Sequence, residues 1–142
     1  MDLALLSDFP MARLGDMKLR HTEDRYVRAL KAAGLSTRDA RRLSMAGTAV
    51  NVRTGVPLCR EGEAGLEAFV LVSGEAVVRL PGADRTVAPG EVFGELAALD
   101  PDRRRNATVE TTEDSIVLAF DVRTFRSLAR DMADVLAPDR AA

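Results

Sequence analysis

One histidine and one cysteine are all that this chain of 142 residues contains of either. His21 lies in a charged, helix-like stretch, and zinc or transition-metal sites draw on several His or Cys ligands, so no such metal is expected. Asp100 and Asp102 in "DPDRRRN" lack the spacing and the glutamate of a calcium loop. No strand-like segment holds a histidine to pair with a serine or cysteine, and no GxSxG elbow occurs. No catalytic residue is therefore assigned, no enzyme activity is expected, and no resident cofactor is expected. Cys59 has no partner for an internal disulfide, and its strand-like surroundings suggest a buried or half-buried thiol in a reducing, cytoplasmic setting. There is no run of 18 apolar residues and nothing resembling a signal peptide, so no membrane contact is expected. A GxxxxGK[ST] phosphate loop is also missing, and with it any sign of a triphosphate held on magnesium. The formal charge of −2 excludes a strong overall field for nucleic acid or membrane.

What is present suits one globular domain, with 46% hydrophobic residues. Charge is uneven along it. Residues 1–60 carry 11 Lys/Arg against 6 Asp/Glu, and residues 61–142 carry 9 against 16. This is read as ordinary surface, with a charge-guided interface as the alternative. Residues 2–20 are interrupted by Pro10 and Gly15 and read as an arm or short helix. Residues 22–33 read as a helix with Thr22 as cap, Glu23 and Asp24 in the first turn, and a stripe of Tyr26, Val27, Leu30 and Ala33. Residues 36–43 read as a second short helix capped by Ser36. From residue 47 the period shortens. Segments such as "EAFVLVS", "EAVVRL", "NATVET" and "DSIVLAF", separated by glycine turns, predict a β roll of about eight strands. Residues 121–137 close the chain as one helix, capped by Asp121 and stopped or bent by Pro138. The expected fold is mainly β with flanking helices: an eight-stranded antiparallel roll of the jelly-roll, double-stranded β-helix type. The expected divisions are a helical arm at 1–34, the roll with its helices at 35–137, and a tail at 138–142.

The stretch "VFGELAALDPDRRRNATV", residues 92–109, carries the most chemistry. Gly94 permits a sharp turn after Phe93, and the amides around Leu96 and Ala97 open a short helix. Free N–H groups at such a start favour an anion. Glu95 is a poor phosphate ligand but a good acceptor for a sugar hydroxyl. An arginine just before the next strand can offer a planar fork to two phosphate oxygens. The Thr108 hydroxyl can donate to phosphate or to a base edge. Together these suit a nucleotide whose sugar and phosphate are held close. The competing reading is a common hairpin Gly-Glu pair followed by an exposed charged turn.

The stretch strongly resembles the phosphate-binding cassette of cyclic nucleotide-binding domains, found in catabolite-activator-type regulators, cyclic-nucleotide-dependent kinase regulatory subunits and gated channels. The family pattern F-G-E-[LIM]-A, a variable loop, then R-x-A-[ST]-V is met by Phe93, Gly94, Glu95, Leu96 and Ala97, then Arg105, Asn106, Ala107, Thr108 and Val109. By this resemblance Glu95 accepts the ribose 2′-hydroxyl and Arg105 pairs with the cyclic phosphate. Gly94, Leu96 and Ala97 form the turn whose backbone approaches the ligand, and Thr108 lies near phosphate and purine. Gly55, Gly62, Gly74 and Gly90 fall where the family places turn glycines, and the likeness covers roughly residues 35–135. Three departures stand out. Glu95 and Arg105 are ten positions apart, as in bacterial activators; Arg103 and Arg104 flank Arg105; and Glu67 replaces a frequent Asp.

The resemblance implies a cyclic nucleotide-binding regulatory domain, with cAMP favoured over cGMP on the cassette length. Thr108 also suits a guanine 2-amino group. Family members cap the base from the last helix, for which Met132, Val135 and Leu136 are candidates; simple packing of that helix is the alternative. Residues 1–34 and the C-terminal helix are the expected contacts with a second copy or an effector protein. No helix-turn-helix follows the roll, so no direct nucleic acid contact is expected. The alternative function is a ligand-insensitive roll that acts through protein contacts. A cupin-type enzyme would need histidines that the β segments lack.

Overall fold

A computed structural model describes residues 24–100 and 102–136. Two helices lead. Asp24 caps α1 (Arg25–Ala32), its carboxylate accepting from the Val27 N–H at 2.8 Å. Ser36 caps α2 (Thr37–Ala46), its hydroxyl accepting from the Asp39 N–H at 3.1 Å. The cap expected at Thr22 lies outside the described residues. Asp24 acts as cap rather than as a first-turn residue, because its extended backbone lets the short carboxylate reach back to a free amide. Of the expected stripe Val27 and Leu30 are buried, Tyr26 is half-buried against the same core, and Ala33 is exposed at the helix end. The second helix runs beyond Leu43 to Ala46.

Eight strands follow: β1 (Thr48–Val52), β2 (Pro57–Cys59), β3 (Glu67–Ser73), β4 (Ala76–Arg79), β5 (Arg85–Val87), β6 (Val92–Phe93), β7 (Thr108–Thr111) and β8 (Ser115–Asp121). All pair antiparallel, in two four-stranded sheets of order β1-β8-β3-β6 and β2-β7-β4-β5. This is the mainly β, eight-stranded roll with flanking helices that the glycine-punctuated segments predict. The short helix α3 (Glu95–Leu99) interrupts the roll between β6 and β7.

The uninterrupted apolar run of β3 now has a reason. Phe69 and Leu71 face the second sheet, in a core shared with Val50, Val78, Phe93 and Val109. Ala68, Val70 and Val72 face the helices, in a core shared with Leu30, Leu43, Leu118 and Phe125. A strand covered on both sides cannot alternate apolar with polar residues. The helical core holds α1 through Val27 and Leu30, and it ties the leading helices to the roll.

β8 passes directly into α4 (Val122–Asp131), where the Thr124 N–H donates to the Asp121 carboxylate at 2.7 Å. The single closing helix expected to residue 137 is broken. Met132 leaves helical geometry at φ −126°, ψ 39°, and α5 (Ala133–Leu136) follows. No glycine or proline marks the break. Pro138 and the tail lie outside the described residues.

Candidate functional site

β6 ends in Phe93, which is fully buried and stacks on Phe69 of the neighbouring strand with ring centroids 5.2 Å apart. The chain then turns at Gly94 in left-handed geometry, φ +76°, and enters α3. Glycine is required there twice over. A side chain would be strained at that φ, and its Cβ would lie 2.5 Å from Arg105 Nη1 and 3.2 Å from Cys59 Sγ.

Arg105 explains the crowding. Of three consecutive arginines, Arg103 and Arg104 are exposed and Arg105 is 8% exposed. Its Nη1 donates to the Gly94 carbonyl at 2.6 Å and its Nη2 to the Glu67 carbonyl at 2.7 Å. Its guanidinium carbon lies 5.9 Å from the Phe69 ring centroid. Arg105 and Ala107 are buried ahead of Val109 in β7, and Arg103, Arg104 and Asn106 are exposed.

Glu95 is fully buried at the start of α3. The Cys59 thiol of β2 reports on the charges around it. Burial pushes it up from 9.0 to about 11; the Arg105 cation pulls it down, and the Glu95 and Glu67 carboxylates push it up. Both proposed ligand-recognising charges therefore act on one buried neighbourhood. Ala97 and Ala107 are buried and Leu96 is half-buried, with Asn106 open to solvent. The half-buried Thr108 hydroxyl accepts from the Glu61 N–H at 3.1 Å. The fold thus gathers all nine residues of the expected site, Phe93 to Ala97 and Arg105 to Thr108, around β6, α3 and the start of β7.

Sequence reasoning missed the third wall of this site, the loop from Glu61 to Glu67. Arg105 exchanges backbone bonds with it: Gly62 N–H to the Arg105 carbonyl, and Arg105 N–H to the Glu63 carbonyl, each 2.8 Å. Ala64 and Arg104 form an isolated antiparallel bridge. Contacts made by main chain leave no residue signature; the signals in the sequence were Gly62 and Glu67, family positions that nothing in the sequence links to Arg105. Met132 and Leu136 are buried in the helical core and Val135 packs against it. Among the described residues no cluster of His, Cys, Asp and Glu is arranged to hold a metal, and no helix is long and apolar enough to cross a membrane.

Residues 49–132 match the cyclic nucleotide-binding domain family, and the chain belongs to that family. It is 38% identical over 93 residues to Pycsar effector protein PaPycTIR of Pseudomonas aeruginosa, covering 63% of this chain and 30% of that protein. The chain thus spans less than a third of that relative. Among solved structures it resembles a domain described as "Sp-2Cl-cAMPS bound to PKAR CBD2", with TM-score 0.66, 26% identity, and coverage of 87% and 84% of the two chains. It also resembles the Thermus thermophilus catabolite activator protein, with TM-score 0.57, 27% identity, and coverage of 75% and 52%. The family's fold is a ligand-binding regulatory one.

Proposed function

We propose that this domain is a cytoplasmic sensor of cAMP, in preference to cGMP, which relays occupancy through its flanking helices to a second copy or an effector protein. The observation that carries the reading is the inward turn of Arg105, alone of three arginines, beside the buried Glu95 and the left-handed turn at Gly94. A cation held in a largely buried site favours an anionic ligand, and its planar fork suits two phosphate oxygens. Glu95 accepts the ribose 2′-hydroxyl, the backbone from Gly94 to Ala97 lies along the phosphate, and Asn106 and Thr108 border it with Ala107 beneath.

Three points support cAMP. The solved neighbour described with Sp-2Cl-cAMPS is 26% identical. The ten-position separation of Glu95 and Arg105 matches bacterial activators. Thr108 Oγ1 already accepts from Glu61 N–H, so one of its two lone pairs is taken and less acceptor capacity remains for a guanine 2-amino group. A route outward is also present. Arg126 on α4 donates to the Leu99 carbonyl at the end of α3 at 3.2 Å, so a shift of α3 pulls on the closing helix. The leading helices, packed on the same core as α4, carry exposed Arg25, Arg28, Arg38 and Arg41 as a basic surface for a partner.

Titration calorimetry with the 3′,5′-cyclic nucleotides of adenine, guanine, cytosine and uracil tests this. Micromolar or tighter cAMP binding is expected, lost in Arg105→Ala and weakened in Glu95→Ala. Absence of heat and of any thermal shift with all four overturns the reading in favour of a ligand-insensitive scaffold.

A further inference from the structure

Two halves make the site, joined along the chain by an exposed turn. The described residues joining α3 to the inward-facing Arg105 (Asp100 and Asp102 to Arg104) are all exposed. Besides the direct bond from Arg105 Nη1 to the Gly94 carbonyl, the loop before β3 bridges the halves. Its first part is held on the Arg105 side by Glu61 N–H to Thr108 Oγ1, by the two backbone bonds with Arg105 and by the Ala64–Arg104 bridge. Its end is held by Arg105 Nη2 on the Glu67 carbonyl. Between these anchors stands Gly65, and it touches the other half. A Cβ on Gly65 would lie 2.3 Å from Ala97 Cβ, 3.0 Å from the Ala97 carbonyl carbon and 3.2 Å from Ala97 Cα. Gly65 is not in the left-handed region, so its backbone does not demand glycine; the approach of α3 does.

We infer that Gly65 is a positioning residue of the nucleotide site, a spacer of zero side-chain thickness that sets how close α3 stands to Arg105. The inference rests on the proposal that this site holds a cyclic nucleotide. An added methyl at 2.3 Å from Ala97 Cβ forces loop and α3 apart by about 1.2–1.7 Å to reach ordinary carbon contact of about 3.5–4.0 Å. The loop is held to the Arg105 segment by several bonds and α3 to Arg105 by one, Nη1 to the Gly94 carbonyl, so α3 moves, stretching that bond and carrying the Gly94–Ala97 backbone and Glu95 away from Arg105. A recognition site tolerates displacements of about 0.5 Å, so the ligand no longer spans both halves well.

The test pairs Gly65→Ala with its compensating change, Ala97→Gly. Without nucleotide, NMR of the full chain should show the Leu96 and Ala97 amides and the Arg105 Nε–H displaced in G65A. Calorimetry should show cAMP binding weakened by about tenfold. G65A/A97G should recover most of both changes, with a remainder because the Ala97 carbonyl carbon still lies 3.0 Å away. A merely destabilising substitution would not be rescued by a second glycine in a helix, which itself lowers stability. The inference is overturned if G65A leaves these signals and the affinity unchanged, or if A97G restores neither. Should G65A not fold, recovery of a folded G65A/A97G supports the contact, and failure of both to fold overturns it. If the wild-type chain binds no cyclic nucleotide, the functional reading fails, but the ligand-free NMR arm still decides whether Gly65 sets the position of α3.

Discussion

Arg105 and Cys59 share one buried neighbourhood, and burial acts on each in a measurable way. Arg105→Ala leaves the Gly94 and Glu67 carbonyls without their guanidinium donors and should lower stability by about 1–3 kcal/mol, read by urea unfolding. Loss of binding in that variant is meaningful only after the folded fraction has been measured. Cys59 gives a pH signature. Its thiol stays protonated in the folded chain up to about 11 and ionises from about 9.0 once unfolded. The unfolded state therefore loses its proton first, and the stabilisation present below pH 9 falls as pH rises from about 9 to 11. Urea unfolding of wild type and Cys59→Ala at several pH values should show the wild type losing ground to the variant across that window. A constant difference would refute it. The positions of Glu95 and Arg105 were legible from their spacing and residue type. The Glu67 carbonyl was not, because any residue there supplies the same oxygen.

Turns and helix ends separate what local chemistry specifies from what packing specifies. Gly74 joins β3 to β4 at φ +94°, and a Cβ there would meet Ser115 Oγ at 2.2 Å and the Asp114 carbonyl at 2.7 Å. Gly82, near the β4–β5 turn, has φ +86° with open space around it. Gly74→Ala should therefore cost about 2–4 kcal/mol and Gly82→Ala only about 1 kcal/mol, compared by chemical denaturation. The two glycines look alike in the sequence, and only neighbours from β8 distinguish them. Strands were readable from alternation and glycine turns, and Ser36 and Asp121 were readable as caps, since each signal lies within a few residues. The break at Met132 was not readable; apolar spacing continues through it, so no local residue marks it.

The roll and its helices should respond to ligand as one cooperative unit. Nucleotide at about 100 times its dissociation constant should stabilise the domain by about 2.7 kcal/mol, seen as a raised melting temperature. Arg105→Ala should abolish that rise. Arg126→Ala removes the donor to the Leu99 carbonyl while leaving the site intact. It should preserve the rise and reduce the nucleotide-induced change in amide exchange across α4. Equal exchange changes in variant and wild type would remove Arg126 from the route between α3 and α4.

Local pattern was enough to read a mainly β roll with leading and closing helices, and to nominate Glu95 and Arg105 as the charged pair of a cyclic nucleotide cassette. Strand alternation, turn glycines and motif spacing are properties of neighbouring residues, so they survive in a bare sequence. Arg105 is singled out among three arginines by the R-x-A-T match; alternation alone does not separate it from Arg103, which has the same parity and is exposed. The third wall does not follow. The clasp of residues 61–67 on Arg105 and the closeness of Gly65 to Ala97 join segments about thirty to forty positions apart. Such contacts use backbone atoms and the lack of a side chain, and they exist only after the two sheets have closed on each other.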